Sequence, residues 1–168
     1  ALTTGFDSLM GTAMADSFLG RSVRNSNTLN DGDRLDGGAG TDTLIVDFLS
    51  QGNAITPVLS NIETVVIRAQ SAGSDANGTG STDGNNQLNS QTVQIDAQRS
   101  VAVDSMDKVT AAAGVTRWES NNSRSDVIVE DVRIGNSHKT KDVTIAMVET
   151  DPGNVDFGVY FDQLSLRT

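Results

Sequence analysis

The 168-residue chain carries a formal net charge of −10, with 36% hydrophobic and 4% aromatic residues and no cysteine. Its acidic surplus argues against nucleic acid or anionic lipid as a partner, since both need a basic footprint. The missing cysteines exclude disulfides, thiolate nucleophiles and thiolate-held metals, and no apolar run approaches the ~20 residues of a membrane span.

With so few rings, a core must be assembled from Val, Ile and Leu, and the 16 glycines suit short strands joined by many turns. No long window sustains a helical period, so the sequence predicts an all-β fold. The chain opens on Ala1, with neither an initiator Met nor a charged-then-apolar leader, and is read as a piece of something longer.

The first elements in the chain belong to a repeat. Asp7-Ser8-Leu9-Met10-Gly11-Thr12-Ala13 aligns with Asp33-Arg34-Leu35-Asp36-Gly37-Gly38-Ala39, an offset of 26 residues. At the same offset, Asp16-Ser17-Phe18-Leu19 aligns with Asp42-Thr43-Leu44-Ile45. A repeat of this length predicts a stacked or duplicated supersecondary unit. Residues 63–70 and 91–98 make a fainter pair, each read as a strand from its alternating β-branched residues. Between them, residues 71–90 are rich in Gly, Ser and Asn and hold almost nothing apolar. This stretch is expected to be a loop or linker. It divides a Gly/Asp-rich repeat region, 1–70, from an antiparallel β region, 91–168, which is either a second unit or part of the same domain.

In the second half, residues 103–109 allow one short helical turn. Val127 and Val129 alternate, then the phase slips to Val132 and Ile134, which predicts a bulge near Glu130-Asp131. Val143, Ile145 and Met147 alternate towards Asp151-Pro152-Gly153-Asn154, and Val155, Phe157, Val159 and Phe161 alternate after it. Pro followed by Gly suits a type II turn, so an antiparallel hairpin is predicted. The elements together point to a β-sandwich or jelly-roll-like fold with Gly/Asp-rich turns at its N-terminal end; a short β-solenoid is the alternative.

Residues 37–45, Gly-Gly-Ala-Gly-Thr-Asp-Thr-Leu-Ile, fit the nonapeptide G-G-x-G-x-D-x-U-x at every specified position. Glycines permit a tight turn with positive φ that aims carbonyl oxygens at a cation. The Asp adds a charged oxygen, and the following apolar residue returns the chain to the core. Asp31, Asp33 and Asp36 crowd the approach, and like charges at such density are relieved by a cation. Calcium suits a mixture of carbonyls and carboxylates. The candidate ligands are Asp31, Asp33, Asp36 and Asp42 by side chain, with Gly38 and Gly40 contributing carbonyls. The upstream copy keeps Gly11 and Asp16 but has Thr12 and Met14 where glycines belong, which makes Asp7 and Asp16 secondary candidates.

On these residues the stretch from 2 to 46 resembles the RTX class of glycine- and aspartate-rich calcium-binding proteins. The likeness is to its surface-layer and adhesin members, which bacteria export by type I secretion. Leu59-Ser60-Asn61-Ile62-Glu63-Thr64-Val65 resembles an Asn-x-Glu-Thr-Val strand that often follows in those surface-layer proteins. The resemblance covers about the first 70 residues, and this chain has one intact nonapeptide where the family stacks several. It implies an extracellular location at a bacterial cell surface, calcium-dependent folding, and assembly into an oligomer, lattice or fibre. A shorter stretch, Val159-Tyr160-Phe161-Asp162-Gln163-Leu164-Ser165-Leu166, is similar to the last strand of jelly-roll carbohydrate-binding modules. It implies a cell-surface polysaccharide as an alternative ligand, although one Trp and one Tyr make a poor stacking platform.

Enzymatic activity is not expected. His138 is the only histidine and lies in a polar stretch, and no G-x-S-x-G elbow occurs. Trp118 reads as a core or rim residue.

Overall fold

The computed structural model describes residues 1–49, 53–70, 93–96, 98–99, 109–110, 114–132, 142–152 and 155–161. The 71–90 stretch, most of the helical turn allowed at 103–109, and His138 lie outside the described residues. Every regular element among the described residues is a strand. They are β1 (Ser8–Met10), β2 (Ser17–Gly20), β3 (Arg34–Asp36), β4 (Thr43–Phe48), β5 (Asn53–Ile55), β6 (Val58–Ser60) and β7 (Thr64–Ala69). They continue as β8 (Val93–Asp96), β9 (Gln98–Arg99), β10 (Val109–Thr110), β11 (Arg117–Asn121), β12 (Val127–Val132), β13 (Thr144–Val148) and β14 (Phe157–Phe161).

The all-β expectation holds, and the pairing is parallel. A first sheet has the order β1-β3-β6, a second β13-β11-β7-β4-β2, and a third β14-β12-β8-β5. Within each, the neighbours run parallel and in register. The chain passes from sheet to sheet and returns to lay each new strand beside the previous one. The N-terminal repeat is the visible trace of this: Ser8 pairs with Arg34 and Ser17 with Thr43.

This overturns the antiparallel expectation for 91–168. Among the described residues there, only the short β9–β10 pair is antiparallel. The predicted hairpin does not form, because β13 pairs with β11 in the second sheet while β14 pairs with β12 in the third. Short strands with one buried face alternate apolar and polar residues whichever way their neighbours run, so alternation could not distinguish the two. The antiparallel jelly roll falls with the hairpin. The fainter repeat is likewise no stacking unit, since β7 and β8 lie in different sheets. The bulge is present: register shifts between Val129 and Val132. Strands on either side of 71–90 share sheets, β7 with β11 and β5 with β8.

Stacking in register makes the core a set of like-on-like columns. Leu9, Leu35 and Leu59 form one beneath the first sheet. Phe18, Leu44, Val65, Trp118 and Ile145 form another beneath the second. The column is buried as far as Trp118, at 0% exposure, and opens at Ile145, which is 47% exposed on the terminal strand β13. Outward-facing residues stack too. Asp47, 4% exposed, takes the guanidinium of Arg68 at 2.7 Å from the next turn and that of Arg21 at 3.2 Å from the previous one.

On β11, the Glu119 carboxylate accepts from Asn121 Nδ2 at 2.8 Å and from Arg117 Nε at 3.0 Å. Burial pushes its carboxyl up, but the Asn121 amide and the Arg117 guanidinium outweigh burial and hold it below its ordinary 4.5. An acid depressed by folding contributes stability that is present above its unfolded value and lost as pH falls through its folded one. Glu119→Gln should therefore be less stable than the parent at neutral pH by about 0.5–1 kcal/mol. The gap should close on acidification below the carboxylate range. Thermal melts across pH check this; a gap independent of pH would contradict it.

Candidate metal site

The corner between the first and second sheets is built from the repeat. It runs from Gly11 to Asp16 in the first turn and from Gly37 to Asp42 in the second, and shrinks to Asn61-Ile62-Glu63 in the third. Successive turns approach closely here. A Cβ on Gly37 would lie 1.9 Å from the carbonyl oxygen of Asn61, and one on Gly11 would lie 2.2 Å from that of Gly37. The motif glycines were expected to supply positive φ. Gly38 and Gly40 do, at 91° and 128°, whereas Gly37 is required by the closeness of the next turn.

Each corner ends on an acid that reaches across the stack. The Asp16 N–H donates to Asp42 Oδ1 at 2.7 Å, and the Asp42 N–H donates to Glu63 Oε2 at 2.7 Å. Glu63 therefore stands where the repeat has Asp, its extra methylene spanning the shortened corner. At the head of the first sheet the Asp7 N–H donates to Asp33 Oδ1 at 2.9 Å. The structure thus brings Asp7 to Asp33 and Asp16 to Asp42 as rungs of a backbone-to-carboxylate ladder.

The predicted ligands are otherwise spread over several corners. Asp31 Oδ1 accepts from Thr56 N–H at 3.2 Å, Asp33 Oδ2 from Asn30 N–H at 2.8 Å, and Asp7 from the amide and hydroxyl of Thr3. Asp36 Oδ1 accepts from Gly38 N–H at 3.0 Å and from Asn61 Nδ2 at 2.8 Å. Asp33 precedes β3 and Asp36 ends it, so they stand about 10 Å apart along the strand. One calcium shell is only roughly 5 Å across, and the two carboxylates accept from different backbone amides, of Asn30 and Gly38. Among the described residues, no three His, Cys, Asp or Glu gather in a group able to hold a metal.

Among the described residues, one buried carboxylate oxygen in this network is unmet. Asp42 is fully buried, and its Oδ2 has no hydrogen-bond partner among the described residues. It lies 2.6 Å from the point a Gly37 Cβ would occupy, the same point that the Asn61 carbonyl oxygen faces. A buried carboxylate oxygen without a donor is destabilising, and a carboxylate beside carbonyl oxygens is the donor set a hard cation takes. At this corner one carboxylate oxygen, of Asp42, and one backbone carbonyl, of Asn61, are of that donor type.

No family model matches the chain, and no curated protein or solved structure matches it.

The electrostatics separate the acids. Burial pushes the Asp33 carboxyl above its ordinary 3.8; the amides of Asp7 and Asn30 oppose this, and the charges of Asp7 and Asp31 add to it. The fold therefore binds this proton more tightly than the unfolded chain, so any destabilisation from Asp33 is relieved as pH falls towards 3.8. Asp16 shifts the other way: the amide and hydroxyl of Thr12 hold it below 3.8. Sequence reasoning missed Glu63 and Asn61 as parts of this corner. The signal was the register of the repeat, which carries Gly11 and Gly37 onto Asn61, and Asp16 and Asp42 onto Glu63 once the shortened third corner is allowed for.

Proposed function

We propose that this chain is a structural, calcium-binding module of a secreted bacterial surface-layer, fibre or adhesin protein, folded as a short β-solenoid. The observation that carries the reading is the unpartnered, fully buried Asp42 Oδ2 inside the intact nonapeptide corner. The resemblance of residues 2–46 to RTX surface proteins supplies the setting. The open end of the second sheet supports assembly through β edges: Ile145 and Met147 on β13 are 47% and 37% exposed, though they continue the inward columns of Trp118 and Ser120. A further turn or a neighbouring copy laid on β13 would cover them. A carbohydrate-binding role is less well supported, because Trp118 is sealed in the core.

Extracellular calcium sites of this kind bind with constants of roughly 0.1–1 mM. At ten times the constant, binding adds about 1.4 kcal/mol, or about 3–6 °C in melting temperature for a chain of this size. Calcium should raise the melting temperature by that amount over the chelated protein. Asp42→Asn keeps an acceptor for the Asp16 amide and offers a donor to the Asn61 carbonyl. It should therefore match or exceed the chelated parent in stability and lose the calcium response. A parent whose melting is indifferent to calcium would remove the metal reading; light scattering with and without calcium tests assembly.

A further inference from the structure

Resting on the calcium reading above, we infer that the first-turn corner has exchanged a cation for a hydroxyl: Thr12 does for Asp16 what a bound ion would do for Asp42.

The two corners superpose residue for residue in the register of the stack. Gly11 and Gly37 each face the carbonyl oxygen of the following turn, that of Gly37 at 2.2 Å and that of Asn61 at 1.9 Å from the would-be Cβ. Beside each lies the Oδ2 of the acid that closes the corner, Asp16 at 2.9 Å and Asp42 at 2.6 Å. The surroundings of that oxygen then differ. Asp16 Oδ2 accepts from the Thr12 amide at 2.6 Å and the Thr12 hydroxyl at 2.8 Å. In the second turn Gly38 stands in Thr12's place and brings no hydroxyl. Its amide donates to Asp36 Oδ1 instead, at 3.0 Å. Asp36 in turn stands where the first turn has Met10, so the first turn has no second carboxylate to draw the amide away. Three coupled differences, Met10 for Asp36, Thr12 for Gly38 and Met14 for Gly40, leave the Oδ2 of half-buried Asp16 held by the chain and that of fully buried Asp42 without a partner among the described residues.

The consequence is a division of labour. The outer corner is closed by the chain's own donors whatever the calcium level, and the inner corner waits for the ion. A carboxylate oxygen already holding an amide and a hydroxyl has little left to offer a cation.

Thr12→Gly with Met14→Gly rewrites residues 11–16 as Gly-Gly-Ala-Gly-Ala-Asp and removes the hydroxyl. The number of calcium ions taken up on folding is read from the slope of the logarithm of the folding constant against that of calcium concentration. The double variant should take up about one more ion than the parent and melt lower than the parent under chelation. Thr12→Ser with Met14→Gly keeps the hydroxyl while adding the same glycine, and should match the parent's slope. If the parent shows a slope and the double variant shows the same one, the inference is wrong and the calcium reading survives. A gain in the serine variant, or failure of the double variant to fold at saturating calcium, also overturns the inference. A flat slope in the parent instead sinks the calcium reading on which it rests.

Discussion

Gly37→Ala should destabilise the protein by about 3 kcal/mol or more, at the upper end of what an added methyl does in a packed site. The new Cβ would lie 1.9 Å from the Asn61 carbonyl oxygen, and that atom belongs to the backbone of the next turn. Relief would require the second and third turns to part, which breaks the Gly37-to-Ser60 bond at 2.9 Å and misplaces Asp42 against Glu63. Gly32→Ala is the matched comparison. Gly32 has a φ of 83° but open space around its Cα, so it should lose only about 1 kcal/mol, as left-handed strain. Chemical denaturation of both variants decides between the two kinds of glycine. Equal losses would mean that the turns do not pack as closely as described.

The second large effect is expected at Trp118. It is the largest fully buried side chain and stacks between Val65 on β7 and Ile145 on β13. Trp118→Ala should cost about 3–5 kcal/mol, because rigid strands on both sides cannot collapse into the space. Trp118→Phe should fall within about 1 kcal/mol of the parent. It sacrifices ring volume but also removes the indole N–H, which is buried without a partner among the described residues, a defect of about 1–3 kcal/mol on its own. A phenylalanine variant as damaged as the alanine one would show that the indole nitrogen is satisfied after all.

Strand positions were legible because β-branched residues at alternate sites bury one face whatever the sheet. The direction of pairing was not, since a strand such as Thr144–Val148 has too few residues for its pattern to depend on its neighbours. The one sequence feature that encodes direction is the 26-residue repeat. It places Leu9 on Leu35 and Phe18 on Leu44, an arrangement that only parallel stacking produces. Its later rungs were hidden because the third corner loses three residues and replaces Asp by Glu63 and Gly by Asn61. At the candidate site, acidic crowding along the chain suggested a shared ion. In space, the extended backbone between Asp33 and Asp36 and the corner before Asp42 distribute those acids, and amides already occupy most of them. Among the described residues only Asp42 keeps a fully buried carboxylate oxygen without a partner, a fact that depends on where the Gly38 amide points.

The spacing of the turns also governs the order in which the chain can be wound. Asp16 meets Asp42 across 26 residues and Asp42 meets Glu63 across 21, but Glu63 meets Thr116 across 53. Closing a loop twice as long costs about 0.6 kcal/mol more in chain entropy before any contact repays it. The early turns are thus the cheapest to close, and β7 offers a finished edge on which β11 can settle. Winding is biased to begin near the N-terminal end and travel towards β13, giving the molecule a direction in time that its repeating geometry alone does not reveal.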